Sequence, residues 1–138
     1  MCIGNHDRLP ARKAFEAGVS TKWVRDYKDV LGCPNWDFQL SFDIDGVRYE
    51  HGEGMSAKRK MLVNRKSYVV GHRHSEAYVD FSASEKDILF SMQVGWGGEQ
   101  DAYALAYAKN FKRGVLSCGV VLENGRVPIL LAMHTDKY

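Results

Sequence analysis

The stretch that most restricts the fold is WDFQLSFDIDGVRYE, residues 36–50. Trp36, Phe38, Leu40, Phe42 and Ile44 are apolar, and most residues between them are polar. A period of two puts every second side chain on one side of an extended chain, and no helix can gather such a set on one face. The spacing therefore predicts a strand over 36–44 with one buried face. Asp45-Gly46 follows at once, the dipeptide favoured in two-residue hairpins, so VRYEH (47–51) is expected to return antiparallel.

Helical and strand patterns alternate on either side of this hairpin. PARKAFEA (10–17) reads as a short helix with proline in its first turn and Gly18 after its end. Ser20 is a candidate cap for a second helix through Leu31, stopped by Gly32 and Pro34. SAKRKMLVNRK (56–66) reads as helix, SYVVG (67–71) as a buried strand, and EAYVDF (76–81) and DILFSMQV (87–94) as two more strands. AYALAYAKN (102–110) is alanine-rich and helical by propensity. GVLSCGVVLE (114–123), Asn124-Gly125 and VPILLAM (127–133) form a second hairpin, with Pro128 at a strand start or edge. The expected fold class is mixed α/β, with mostly antiparallel hairpins in the second half. A chain of 138 residues with 45% apolar content and no repeat or linker forms one domain, 1–138.

A net charge of +2 gives no general pull toward nucleic acid or an anionic membrane, and no apolar run reaches the roughly 20 residues of a spanning helix. Cys2, Cys33 and Cys118 are odd in number and unpaired in spacing, which predicts reduced thiols and a cytoplasmic protein. Cys118 is expected in the core, because it alternates within an apolar strand.

Four of the five histidines fall in short polar stretches at the ends of apolar runs. In GHRH (71–74), His72 and His74 project to the same side if the segment is extended, about 6.6 Å apart at roughly 3.3 Å per residue. Two imidazoles at that spacing suit a pair of metal ions; two exposed loop histidines are the plain alternative. His51 shares the parity of Val47 and Tyr49 and is followed by Gly52-Glu53-Gly54, where the backbone can turn sharply. In GNHD (4–7), Asn5 offers a neutral oxygen ligand and His6 a ligand or proton donor, and the loop runs into the helix near Pro10. His134 lies outside these stretches and reads as structural or exposed.

In order, GNHD (4–7), EHGEG (50–54) and VVGHRH (69–74) resemble the motifs of the calcineurin-like metallophosphoesterase superfamily, in its small bacterial or phage form. The resemblance implies a two-sheet α/β/β/α sandwich and hydrolysis of a phosphoester by water activated at two divalent ions, Mn, Zn, Fe or Ni. It implies that Asn5, His51 and His72 ligate one metal and His74 the other. His6 would lie beside the substrate phosphate, and Asp7 would hold the loop behind the ligands.

The family also begins with a strand leading to D-x-H, followed by G-D-x-x-D, and neither motif occurs in this chain. Without them the first metal retains only His74 and nothing bridges the two ions, so at most one well-formed metal site is expected. The expectation is an N-terminally incomplete domain, with Met1-Cys2-Ile3 as the end of a buried strand. A separate polypeptide could then supply the missing half as partner. A remnant that binds a metal or a partner without turnover is the alternative. An HNH-type nuclease, suggested by the Asn-His pair and by Lys58-Arg59-Lys60 with Arg65-Lys66, ranks below both; a solvated helix face explains that basic run better. Trp96-Gly97-Gly98-Glu99 lacks the spacing of a phosphate loop, and Tyr103, Tyr107 and Phe111 have the spacing of a packed helix face.

Overall fold

A computed structural model describes residues 1–98 and 113–134. The helix expected over 102–110, the Tyr103, Tyr107 and Phe111 face and Glu99 lie outside the described residues.

Helix α1 spans Leu9–Glu16 with proline in its first turn, and Gly18 follows at φ +72°. The second helix is not continuous. Ser20 caps a single 3-10 turn, Thr21–Trp23, and α2 occupies only Tyr27–Leu31 before Gly32. Val24 and Asp26 are extended between them, at ψ 122° and 151°. Short helices depend on packing, and Trp23, at 83% exposed, supplies none.

The hairpin of the opening stretch is present but shorter than its alternation predicts. Strand β1 is Ser41–Ile44 and β2 is Val47–Glu50, antiparallel, with Ile44 opposite Val47. Asp45 and Gly46 have φ of +50° and +76°, the pair of positive values that a type I′ turn requires. Upstream, Trp36 and Leu40 are exposed, and Gln39 instead pairs with Cys2 in an isolated parallel bridge. Met1–Ile3 is thus one rung of extended chain, with Met1 exposed, and not a buried strand.

Ser56 caps α3 (Ala57–Asn64), which connects β2 to the parallel strand β3 (Ser67–Val70). Strand β4 (Tyr78–Ala83) and β5 (Ile88–Gln93) complete a five-stranded sheet in the order β1-β2-β3-β5-β4. Its three central strands, β2, β3 and β5, are parallel; each edge strand is antiparallel to its neighbour. Strands β6 (Leu116–Leu122) and β7 (Val127–Met133) form a separate antiparallel ribbon, with Pro128 its second residue on β7.

Alternation along β3 and β5 assigns the two faces of the large sheet. Tyr68, Val70 and Leu89 pack with Ala57 and Met61 of α3. Val69, Phe90 and Met92 pack with Val121 and Leu130 of the ribbon. The layers are therefore helix, five-stranded sheet, two-stranded ribbon, a mixed α+β arrangement. Cys118 lies on the ribbon's outer face and is exposed, contrary to the core position expected for it. Its neighbours Val120, Leu122 and Leu131 on that face are 44–52% exposed, so an apolar strand here does not mean a strand buried on both sides. Among the described residues no helix is long and apolar enough to cross a membrane.

Candidate functional site

Because β2 and β3 are parallel and adjacent, their carboxyl ends open side by side, the usual location of sites in such sheets. The 50–54 loop leaves β2 and the 71–74 loop leaves β3, and Gly71 N–H donates to His51 O at 3.1 Å to extend the ladder. Gly52 takes φ +98°, and a Cβ there would lie 2.7 Å from Val70 Cβ. Glycine is what lets these two loops touch.

The amino-terminal loop joins them from the side. Ile3 N–H donates to Gln39 O at 2.8 Å, and Cys2 Sγ contacts Tyr49 O at 3.3 Å, which fixes residues 1–3 beside β2. Gly4 is buried against the His51 ring, where a Cβ would lie 2.7 Å from Nδ1. Asp7 Oδ2 accepts from Gly4 N–H at 2.7 Å and closes the loop on itself, while Asp7 O accepts from the Tyr27 hydroxyl.

Three side chains meet at one point. His51 Nε2 lies 2.6 Å from Asn5 Oδ1 and 3.0 Å from His72 Nδ1. The two imidazoles approach edge to face, with centroids 4.9 Å apart. His72 does not continue an extended chain; its φ is +69°, which turns its ring onto His51. The period-two argument for His72 and His74 therefore does not describe this segment. His74 instead packs its ring on Trp96, centroids 4.3 Å apart. His6 is exposed; the His74 pKa is lowered by burial first, then by His72 and His6.

Hydrogen bonding alone serves this centre poorly. Nε2 of His51 carries at most one proton and has two neighbours, one of which, an amide oxygen, can only accept. Burial first, and then the charge of His72, push the His51 pKa below its ordinary 6.5; burial does the same for His74. Both rings thus favour the neutral form, whose lone pairs bind metals. Donors about 2.1 Å from a transition metal sit roughly 3.0–3.4 Å apart; the 3.0 Å between His51 and His72 is at the lower edge of that range, and the 2.6 Å between His51 and Asn5 is a hydrogen-bond length below it. By type, two imidazoles and an amide oxygen are donors that suit a divalent ion. No group of three His, Cys, Asp or Glu side chains suited to a metal occurs among the described residues, and the third donor here is an amide.

Several supporting residues were not foreseen from the sequence. Gln93, fully buried at the end of β5, donates from Nε2 to Gly71 O at 2.6 Å and to Val94 O at 3.1 Å, which pins the start of the 71–74 loop. Its parity with Leu89 and Ser91 was the available signal, a polar residue inside an apolar strand. Arg8 binds both oxygens of Glu53 at 2.5 Å, and Arg73 reaches Gly54 O at 3.4 Å and Glu76 at 3.2 Å. Arg8 and Arg73 adjoin the motif histidines in sequence. Nothing local marked Trp96 as the partner of His74. No family model matches this chain, and no curated protein or solved structure matches it.

Proposed function

We propose that this chain is a phosphoester-directed metal-binding domain of the calcineurin-like metallophosphoesterase type, taking one divalent ion on Asn5, His51 and His72. The observation that carries the reading is the approach of Asn5 Oδ1 and His72 Nδ1 to the same nitrogen of His51, from three loops far apart in sequence. When bound, a transition-metal ion there would supply Lewis acidity toward a phosphate oxygen and toward water. The chain's own residues do the remainder. Gly4 and Asp7 hold the Asn5 loop against His51, and Gln93 holds the His72 loop. His6, exposed on the same loop as Asn5, is the proton donor for a leaving oxygen in this reading. His74, neutral and backed by Trp96, is the remaining donor for a second ion. Free Cys2, Cys33 and Cys118 fit a reducing compartment, the cytoplasm.

Metal binding without turnover is the second reading. The two carboxylates nearest the centre are engaged elsewhere, Asp7 with Gly4 N–H and Glu53 with Arg8, so neither bridges two ions. Titration of the purified chain with Mn²⁺ or Zn²⁺ by calorimetry tests the shared part. Uptake of one equivalent, lost in His51→Ala and weakened about 10- to 100-fold in Asn5→Ala, is the expected result. Absence of uptake, or uptake indifferent to His51→Ala, refutes it. Hydrolysis of an aryl phosphate that disappears in His6→Ala would decide for the hydrolase over the silent binder.

A further inference from the structure

We propose that Arg8 receives the terminal phosphate of a monoester at this centre, and that Glu53 holds the guanidinium ready until phosphate displaces it. The inference rests on the metal-centre reading above and adds the substrate class.

Arg8 follows Asn5, His6 and Asp7 on the amino-terminal loop, and Glu53 follows His51 on the neighbouring loop. One nitrogen, Nη2, contacts both carboxylate oxygens at 2.5 Å. The Arg8–Glu53 contact therefore ties the loop that carries Asn5 to the loop that carries His51. Arg73 Nη2 lies 3.4 Å from Gly54 O of the same loop. Guanidinium groups from both neighbouring loops therefore contact residues 53 and 54 of the loop that carries His51.

The Arg8 pair is open to solvent, its side chains 51% and 42% exposed. Exposed ion pairs contribute little net free energy, so exchanging the carboxylate for a ligand anion costs little. Guanidinium is planar and matches two phosphate oxygens at once, with hydrogen bonds stronger than neutral ones. A monoester carries three unsubstituted oxygens: one can face the metal donors, and two remain for the arginine. A diester carries only two and cannot fill both places, which is why the arrangement selects the monoester.

The test uses the whole chain with Mn²⁺ and three probes: inorganic phosphate, methyl phosphate and dimethyl phosphate. Calorimetry should show that the first two bind and that dimethyl phosphate binds more weakly. Arg8→Ala should weaken methyl phosphate about 10- to 100-fold, the loss of a charge-assisted contact. Glu53→Gln should tighten it by up to about fivefold, since the competing carboxylate is gone. A purely structural ion pair predicts no such opposition of sign. Unchanged or weaker binding in Glu53→Gln, indifference to Arg8→Ala, or equal binding of dimethyl phosphate overturns the inference. If the wild-type chain takes up Mn²⁺ but no phosphate, this inference fails alone. If it takes up no Mn²⁺, the metal reading falls and this one with it.

Discussion

Gly4 shows how much of the centre depends on a missing atom. The His51 ring lies against its backbone, and a Cβ would fall 2.7 Å from Nδ1 and 2.9 Å from Cε1. Those distances are inside contact, so either the ring or the loop must move. The ring is held by its proximity to Asn5 and His72, and the loop by the Asp7 carboxylate and the Tyr27 hydroxyl. Gly4→Ala therefore separates Asn5 from His51. It should weaken Mn²⁺ binding at least about tenfold, as displacement of supporting contacts does, while destabilising the fold by about 1–3 kcal/mol, the cost of overpacking. Parallel metal titration and urea unfolding check the two parts. Loss of stability with undiminished affinity would show that His51 is not held by this contact.

Elements carry that arrangement through the packing of β5, which is covered on both faces. Met92 is fully buried beneath the ribbon, and Ser91 and Gln93 are fully buried toward α3. A Cβ on Gly119 would strike the Met92 sulfur, so the ribbon approaches at the one residue of β6 without a side chain. Met92→Ala should destabilise the protein by about 2–5 kcal/mol, measured by chemical denaturation. A cost below about 1 kcal/mol would mean that the ribbon settles into the cavity. Elements of this kind were legible wherever a local signal and a tertiary partner agreed. Asp45-Gly46 and Asn124-Gly125 signal their turns by backbone preference, and both adopt positive φ, the second pair together with Glu123. Ser20 caps where expected, although only a 3-10 turn follows it. Residues 36–40 read as strand but lie largely exposed, because alternation says which side chains share a side and not whether anything covers that side. Cys118 failed for the same reason. The three histidine stretches were visible as motifs. Their convergence was less so, since His72 reaches His51 through a left-handed turn that period-two reasoning does not contain.

At the scale of the whole molecule, the parallel strands β2 and β3 bring positions 51 and 72 to one end, where the amino-terminal loop adds position 5, and the protonation of that end is linked to global unfolding. In the folded chain, burial holds the pKa of His51 and of His74 below the ordinary 6.5; unfolding releases both rings to water. Between the lowered and the ordinary values the unfolded chain binds more protons than the folded one. Stability must therefore rise with pH across that interval and fall as pH drops below about 6.5, the ordinary histidine value. Carboxylates such as Asp43, held well below its usual range by hydrogen bonds from Arg48 and Lys66, titrate only at much lower pH. The histidine contribution can thus be isolated between pH 7.5 and 5.5. Urea midpoints of the metal-free chain should decrease over that range, and the decrease should be smaller in His51→Gln and smaller again when His74→Gln is added. Bound Mn²⁺ should steepen the decrease, because protons then compete with the metal for the same lone pairs. A flat profile in the wild-type chain would mean that these rings are as accessible to protons when folded as when unfolded. The centre would then lack the burial on which its neutral, ligating form depends.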